Sequence, residues 1–293
     1  MELLDGKKLA EQIKLEIKEE VDQLIASGKK RPHLAAILVG DDPASAVYVR
    51  NKIKVCEAVG FTSSLIRLSD DCEEEEVLKE VERLNQIQDV DGFIVQLPLP
   101  AHINEERVNL AIDPKKDVDG FHPVNVGRMS LGLSAYLPAT PQGILYFLDR
   151  YGIETKGKNC VVVGRSNIVG RPMSILLSQK APYGNATVTV CHRHTHNMDE
   201  ILKNADIIIA AVGVAHFIKA HQVKEGAVVI DVGMNRIKDP SRKSGSRLVG
   251  DVDFDQVAPK TSFITPVPGG VGRMTVISLI INTLKAAKKE IYG

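Results

Sequence analysis

The chain contains no tryptophan, and aromatic residues make up only 4% of it. That poverty of flat rings weakens any stacking platform for single-stranded nucleic acid. Neither charge dominates: Lys plus Arg and Asp plus Glu stand at 37 each, so no bulk field draws the chain to a phosphate backbone or an anionic membrane. No apolar run is long enough to span a bilayer. The N-terminus opens on Glu2 and a charged helix instead of a secretory leader, so a cytoplasmic protein is expected. Cysteine is scarce as well. Cys56, Cys72, Cys160 and Cys191 show no metal-type pair spacing and sit in apolar or helical contexts, which predicts reduced thiols.

What remains is an ordinary globular composition, 44% hydrophobic and 25% charged over 293 residues, enough for one large or two ordinary domains. The stretch around which it is organised is Asn159-Cys160-Val161-Val162-Val163-Gly164-Arg165-Ser166-Asn167-Ile168-Val169-Gly170-Arg171-Pro172. A valine-rich run closing on glycine, with proline shortly after a second glycine, predicts strand, tight turn and helix. Free N–H groups at such a helix start suit a dinucleotide phosphate. The spacing departs from the usual fingerprint: Ser166 replaces the second glycine, and Gly170 falls one residue late for the third.

From the N-terminus, Leu9, Ile13, Ile17, Val21 and Leu24 predict an amphipathic helix ending at Gly28, and residues 34–39 a buried strand closing at Gly40. Asp41-Asp42-Pro43 turns into a second helix, reaching about Gly60, on which Ser45, Tyr48 and Lys52 share one face. Residues 65–68 read as a strand and 73–84 as a helix. Gly92-Phe93-Ile94-Val95-Gln96-Leu97-Pro98-Leu99-Pro100 is a buried strand whose carboxyl end carries Gln96, where ligands collect in open α/β sheets. Alternating helices and strands predict an α/β fold with parallel sheet.

Lys115-Lys116-Asp117-Val118-Asp119-Gly120-Phe121 reads as a loop. In Pro138-Ala139-Thr140-Pro141-Gln142, Thr140 is expected to cap a helix with Pro141 at its first position, and the domain boundary is placed there. Residues 187–191 form the second strand of a nucleotide-binding unit. No carboxylate stands at its end to take ribose hydroxyls; Arg193, with Arg165, instead suits a 2′-phosphate and points to NADP. His192, His194 and His196 would share one face of a strand, but no carboxylate or cysteine follows at ligand spacing, and no metal is expected. Two further apolar runs close on Gly213 and Gly233. Residues 238–247 read as an exposed loop, and Thr265-Pro266-Val267-Pro268-Gly269-Gly270-Val271-Gly272-Arg273-Met274-Thr275 as irregular backbone able to approach a flat ligand, before a C-terminal helix from 276 to about 288.

Taken together, Tyr48-Val49-Arg50-Asn51-Lys52, Val95-Gln96-Leu97-Pro98-Leu99-Pro100, Lys116-Asp117-Val118-Asp119-Gly120, the stretch 164–172 and the stretch 265–272 resemble the bifunctional methylenetetrahydrofolate dehydrogenase/methenyltetrahydrofolate cyclohydrolases, in the right order over nearly the whole chain. The resemblance implies two α/β domains with a cleft between them. One is an N-terminal folate domain, 1–138, with a C-terminal helix, 273–293, packed back on it. The other is a Rossmann-like NADP-binding domain with parallel sheet, 139–272, through which a homodimer forms. It implies oxidation of 5,10-methylenetetrahydrofolate with NADP, hydrolysis of the methenyl product to 10-formyltetrahydrofolate, and a place in one-carbon metabolism and purine biosynthesis.

By the same resemblance Lys52 is the catalytic lysine, oriented by Gln96. Tyr48 stacks on the aminobenzoyl ring, Asp119 receives the pterin N–H donors, and Ser45, Pro268, Gly269 and Gly270 line the folate site. Gly164, Arg165, Ser166, Ile168, Arg193, Gly213 and Gly233 are the expected cofactor residues. One position departs: Arg273 stands where the family generally has proline. The competing readings are another two-domain NADP dehydrogenase with a catalytic lysine, of the shikimate dehydrogenase kind, and a non-catalytic NADP-binding sensor.

Overall fold

Apolar runs that close on glycine become the strands of parallel sheets. The computed structural model describes residues 1–242 and 245–292. Its elements are β1 (Glu2–Leu3), α1 (Gly6–Ala26), β2 (His33–Val39), α2 (Pro43–Ala58), β3 (Thr62–Leu68), α3 (Glu74–Gln86), β4 (Gly92–Val95), α4 (Glu105–Ala111), α5 (Pro123–Ser130), α6 (Ala139–Arg150), β5 (Asn159–Val163) and α7 (Gly170–Ser178). There follow β6 (Thr187–Cys191), α8 (Met198–Lys203), β7 (Ile207–Ala210), β8 (Ala227–Asp231), β9 (Asn235–Lys238), β10 (Ser246–Val249), α9 (Phe254–Val257), β11 (Thr261–Ile264) and α10 (Val271–Ala287).

The chain divides into two compact units. One comprises Glu11–Ala139 with Val276–Gly293, the other Met1–Ala10 with Thr140–Thr275. The sequence places the first ten residues in the N-terminal domain. The structure gives them to the other unit, because β1 pairs in parallel with β11, Glu2 beside Phe263 and Leu3 beside Ile264.

In the first unit β2 is central, flanked in parallel by β3 and β4. All seven residues of β2 are buried, as a strand covered on both faces requires. Ala35, Ile37, Val39, Phe93 and Val95 pack against Val77, Val81 and Leu84 of α3. The chain steps to one side of β2 for β3 and to the other for β4, so a crevice is expected outside the carboxyl ends of β2 and β4. The second unit holds six parallel strands in the order β1-β11-β8-β7-β5-β6. Its order reverses between β5 and β7, the switch point at which open α/β sheets bind ligands. Its core joins Val161 and Val163 to Ile208, Val229 and Ile264. All four cysteines are free and buried.

Three local expectations need correction. Thr140 is not a cap: α6 starts one residue earlier, and the Thr140 hydroxyl lies 3.0 Å from that of Thr275. The C-terminal helix starts at Val271, five residues earlier than its apolar run suggests, so Gly272 and Arg273 are helical; glycine in a first turn costs little where tertiary packing holds the helix. The basic stretch 238–247 is flanked by an antiparallel hairpin, β9 with β10, rather than being loop throughout; Lys243 and Ser244 lie outside the described residues.

Two buried carboxylates knit the carboxyl edge of the larger sheet. Asp231 accepts from the N–H groups of Gly233, Asp251 and Val252, each at 2.9 Å. Asp251 accepts from Val212 at 2.6 Å, Gly213 at 2.9 Å and the Asn235 amide at 2.9 Å. A Cβ on Gly250 would stand 1.7 Å from Asp231 Oδ2, and one on Gly233 2.2 Å from Asp251 Oδ1, so both glycines exist to let carboxylates in.

Burial outweighs these donors at Asp231 and pushes its pKa up to about 6, with the charge of Asp251 adding to the rise. The folded chain therefore binds this proton more tightly than the unfolded one. The stabilisation is complete below the ordinary carboxylate range and is lost as pH rises through about 6. Asp231→Asn should be less stable overall, by roughly 1–3 kcal/mol for each N–H left without an acceptor. It should also show a flatter dependence of unfolding free energy on pH between about 4 and 6. Urea unfolding across that range checks both; equal slopes would contradict the assignment.

Candidate active site

Asp42 fixes the start of α2 by accepting the Ser45 N–H at 2.7 Å, and the helix then presents Ser45, Tyr48 and Lys52 at positions i, i+3 and i+7. Ser45 is buried, Tyr48 is exposed at 39%, and Lys52 is half-buried. Lys52 Nζ donates to Gln96 Oε1 at 3.2 Å. The Gln96 amide is itself fixed. Its nitrogen donates to the Leu97 carbonyl at 2.7 Å, which turns its oxygen toward the lysine. Gln96 follows β4, and its N–H donates to the Ile37 carbonyl of β2 at 2.9 Å. The Lys52–Gln96 pair therefore sits at the switch point of the smaller sheet.

Burial pulls the Lys52 ammonium below its ordinary pKa, and the charges of Asp119 and Cys56 oppose the shift. At Asp119 burial pushes the carboxyl up and the charge of Lys52 opposes it. Each group thus stabilises the other's charged form against desolvation. Burial also raises the Tyr48 phenol, so it stays neutral. An amine so placed can take up and give back a proton.

The structure separates the two acids of the motif Lys116-Asp117-Val118-Asp119-Gly120. Lys116 turns away and donates to the Leu84 and Ile87 carbonyls at the end of α3, both at 2.7 Å. Asp117 is 3% exposed and accepts from the backbone N–H groups of Gly120 at 3.1 Å, Phe121 at 3.3 Å and His122 at 2.8 Å. Gly120 takes a φ of +74°. Its missing Cβ would lie 2.6 Å from the Leu137 carbonyl carbon, so glycine is required twice over. Only Asp119 is left to face Lys52. The sequence reading missed the role of Asp117, although an acid three residues before a glycine is an Asx-turn signal.

In the second unit Gly164 follows β5 at a φ of +120°, and a Cβ there would stand 2.1 Å from the Ala211 carbonyl oxygen. Gly170 is equally obligatory, with a Cβ 2.2 Å from the Gly164 carbonyl oxygen. The two glycines, rather than a standard spacing, make the turn. Ser166 braces it, its hydroxyl accepting from Val169 N–H at 3.2 Å and Gly170 N–H at 3.4 Å. α7 begins at Gly170, which puts Pro172 at its third residue. Arg165 and Ile168 project from the turn into solvent, and exposed Gly213, at a φ of +70°, closes the run after β7 beside them at the switch point.

β5 and β6 run in register, with Val163 beside Cys191, so Arg165 and Arg193 follow neighbouring strand ends. The Arg193 Nε donates to His194 Nε2 at 3.0 Å. The histidines do not share a strand face: β6 ends at Cys191, and a turn closed by Thr195 N–H to the His192 carbonyl at 2.8 Å holds them. Gly233 is buried against Asp251, which makes its first role structural. The carboxylates that shape these loops, Asp231 and Asp251, were also missed. The acid closing the apolar run Ala227-Val228-Val229-Ile230-Asp231 is the visible signal for the first.

Pro268 is exposed, Gly269 half-buried and Gly270 buried in the turn before α10. A Cβ on Gly6 would meet the Gly270 carbonyl oxygen at 2.1 Å, so the start of α1 presses on this turn. Arg273 lies exposed on the first turn of α10.

Comparison with known proteins agrees with this layout. Residues 4–119 match the model of the tetrahydrofolate dehydrogenase/cyclohydrolase catalytic domain, and residues 138–291 that of the tetrahydrofolate dehydrogenase/cyclohydrolase NAD(P)-binding domain. The chain is 62% identical over 292 residues to the bifunctional protein FolD of Bacteroides fragilis, covering 100% of both chains. The structure is similar to the bifunctional FolD dehydrogenase/cyclohydrolase of Campylobacter jejuni at 47% identity and a TM-score of 0.92, covering 98% and 99% of the two chains. It is also similar to the Trypanosoma brucei enzyme, solved with NADP cofactor and an inhibitor, at 38% identity and a TM-score of 0.92, covering 99% and 98%. A shikimate dehydrogenase from Aquifex aeolicus shares the fold, at 14% identity and a TM-score of 0.51 over 89% of this chain and 98% of the other.

Proposed function

The chain belongs to the tetrahydrofolate dehydrogenase/cyclohydrolase family, and from that premise we propose which side chains carry its two reactions. It is a bifunctional enzyme that oxidises 5,10-methylenetetrahydrofolate with NADP and hydrolyses the 5,10-methenyl product to 10-formyltetrahydrofolate. The shikimate reading is not favoured, since that likeness is one of fold alone.

The observation that carries the assignment of roles is the desolvated Lys52 amine, hydrogen-bonded to Gln96 and within the field of Asp119. Asp119 accepts two N–H donors from the aminopyrimidine edge of the pterin, side by side, as a carboxylate does from arginine. Tyr48 lays its ring along the aminobenzoyl group, and Ser45 lines the same face of α2; Pro268, Gly269 and Gly270 bring backbone to the folate. Bound NADP would supply the acceptor for the hydride that leaves the methylene carbon. The residues suited to hold it are Gly164, Arg165, Ser166, Ile168, Arg193, Gly213 and Gly233: a turn that no Cβ could enter, at the switch point of the sheet, fits the close approach of a pyrophosphate.

Oxidation requires no proton transfer at the reacting carbon, and orientation of the folate supplies most of what the protein contributes there. Hydrolysis asks for more. Water adds to the bridging carbon and gives up a proton, which Lys52 Nζ takes; the ring nitrogen gains a proton from that ammonium as its bond to the carbon breaks, and the carbinol hydroxyl gives its own proton to Nζ as the formyl carbonyl forms, so that one proton is finally passed to solvent. Gln96 Oε1 holds Nζ in place through these transfers.

Arg165 and Arg193 follow adjacent strand ends where no acid stands, which supports a preference for the 2′-phosphorylated cofactor. β6 is an edge strand of the larger sheet, with Val190 exposed at 37%, and this supports a homodimer through the NADP-binding unit.

Lys52→Met should lose cyclohydrolase activity by at least about a hundredfold and dehydrogenase activity by markedly less. Methenyl product should accumulate by absorbance while NADPH continues to form; equal losses would make Lys52 a positioning group for both steps. Arg193→Ser should narrow the preference for NADP over NAD by about tenfold, read from kcat/KM with each cofactor, and no change would remove Arg193 from the phosphate site. Sedimentation equilibrium should return twice the chain mass, and a single-chain mass at micromolar concentration would contradict the dimer.

A further inference from the structure

Both peptide groups that flank Asp119 are gripped by buried side chains. The Val118 carbonyl, one bond before Asp119, accepts from the Asn282 amide of α10 at 2.8 Å, and the same amide donates to the Leu137 carbonyl at 2.9 Å. The Gly120 N–H, one bond after Asp119, donates to Asp117. Asn282 is 0% exposed. Asp119 thus stands between a clamp from the C-terminal helix and a clamp from Asp117.

Asp117 is oriented in turn. Its Oδ2 accepts from the Asn125 amide nitrogen at 2.9 Å, and that nitrogen gives its second hydrogen to the Pro114 carbonyl at 3.0 Å. Asn125 is 0% exposed. An amide rotated by 180° would present oxygen to a carboxylate and a carbonyl, so its orientation matters. The group that selects it is at the far end of the chain: Tyr292 hydroxyl donates to Asn125 Oδ1 at 2.8 Å, and Tyr136 N–H approaches the same oxygen at 3.4 Å. The Tyr292 ring is held independently of that bond, under the Arg128 guanidinium at 4.9 Å and beside Tyr136 at a centroid distance of 5.8 Å. A carboxylate pushed up to about 7 by burial depends heavily on each donor that favours its charge.

We propose that Tyr292 is a positioning residue for the folate site: through Asn125 and Asp117 it sets the geometry of the Asp119 loop. This rests on the assignment of Asp119 as the pterin anchor. The chain's last helix and tail therefore belong to the substrate site, although their residues carry none of the chemistry.

Tyr292→Phe removes the hydroxyl and keeps the ring between Arg128 and Tyr136. The KM for methylenetetrahydrofolate should rise about three- to tenfold, the worth of one neutral hydrogen bond, while kcat, the KM for NADP and the thermal midpoint stay near those of the parent. Asn125→Ala should raise the folate KM further, and the double variant should be no worse than Asn125→Ala, because both act along one route. Additive effects, or a rise in the KM for NADP alongside that for folate, would mean a general structural role and overturn the proposal. Asp119→Ala, measured in parallel, separates the two ideas. If it raises the folate KM and Tyr292→Phe does not, the relay is wrong and the anchor stands; if Asp119→Ala leaves that KM unchanged, the anchor itself is wrong and the relay falls with it.

Discussion

A carboxylate withdrawn from water and surrounded by backbone N–H groups is the interaction on which both units depend. Asp117 does this for the loop that carries Asp119, while Asp231 and Asp251 do it for the loops after β7 and β8. A loop at a sheet edge has N–H groups without ladder partners, and leaving them dry and unpaired costs about 1–3 kcal/mol apiece. One carboxyl side chain satisfies two or three of them and fixes their relative directions. Water could satisfy them equally well, but it would leave the loop free to move.

That constraint acts where the topology has already prepared a crevice. Each sheet reverses its strand order once, at β2 and β4 in one unit and at β5 and β7 in the other. Helices leave in opposite directions from such a point, so backbone N–H groups and strand-end side chains converge on a hollow. Lys52 and Gln96 occupy the first of these positions and the Gly164 turn the second. The two units thus solve ligand binding by one geometrical rule, with different occupants.

How much of this the sequence discloses depends on the range of the forces involved. Periodicity exposes α1, β2, α2 and β5 because each buries a continuous stripe or run, and helical spacing puts Ser45, Tyr48 and Lys52 on one face of α2, while only the resemblance gives that face a function. Boundaries at capped or proline-rich ends are less legible. Thr140 looks like a cap, yet its hydroxyl is used by Thr275, 135 residues away. The start of α10 is hidden because glycine and arginine at 272 and 273 mimic a loop until tertiary packing closes the first turn. β1 is only two residues long, too short for any pattern, and exists because β11 offers it an edge. Periodicity does not separate Asp117 from Asp119; the resemblance singles out Asp119, and the spacing of Asp117 before Gly120 is the one local sign of its turn. One becomes structural and the other remains available only when the Gly120, Phe121 and His122 N–H groups fold back on the first.

The pairing of Lys52 with Asp119 shows why a site needs both a driving force and a brake. Desolvation lowers the pKa of the amine, and an amine made less basic is a poorer proton acceptor. Asp119 restrains that fall, while Lys52 restrains the rise of Asp119 and favours its charged form. A substrate that brings N–H donors to Asp119 engages part of its charge and weakens its hold on Lys52. On the proposed roles, the carboxylate that anchors the substrate is also the one whose charge acts on the base, so anchoring and proton transfer are coupled through one pair.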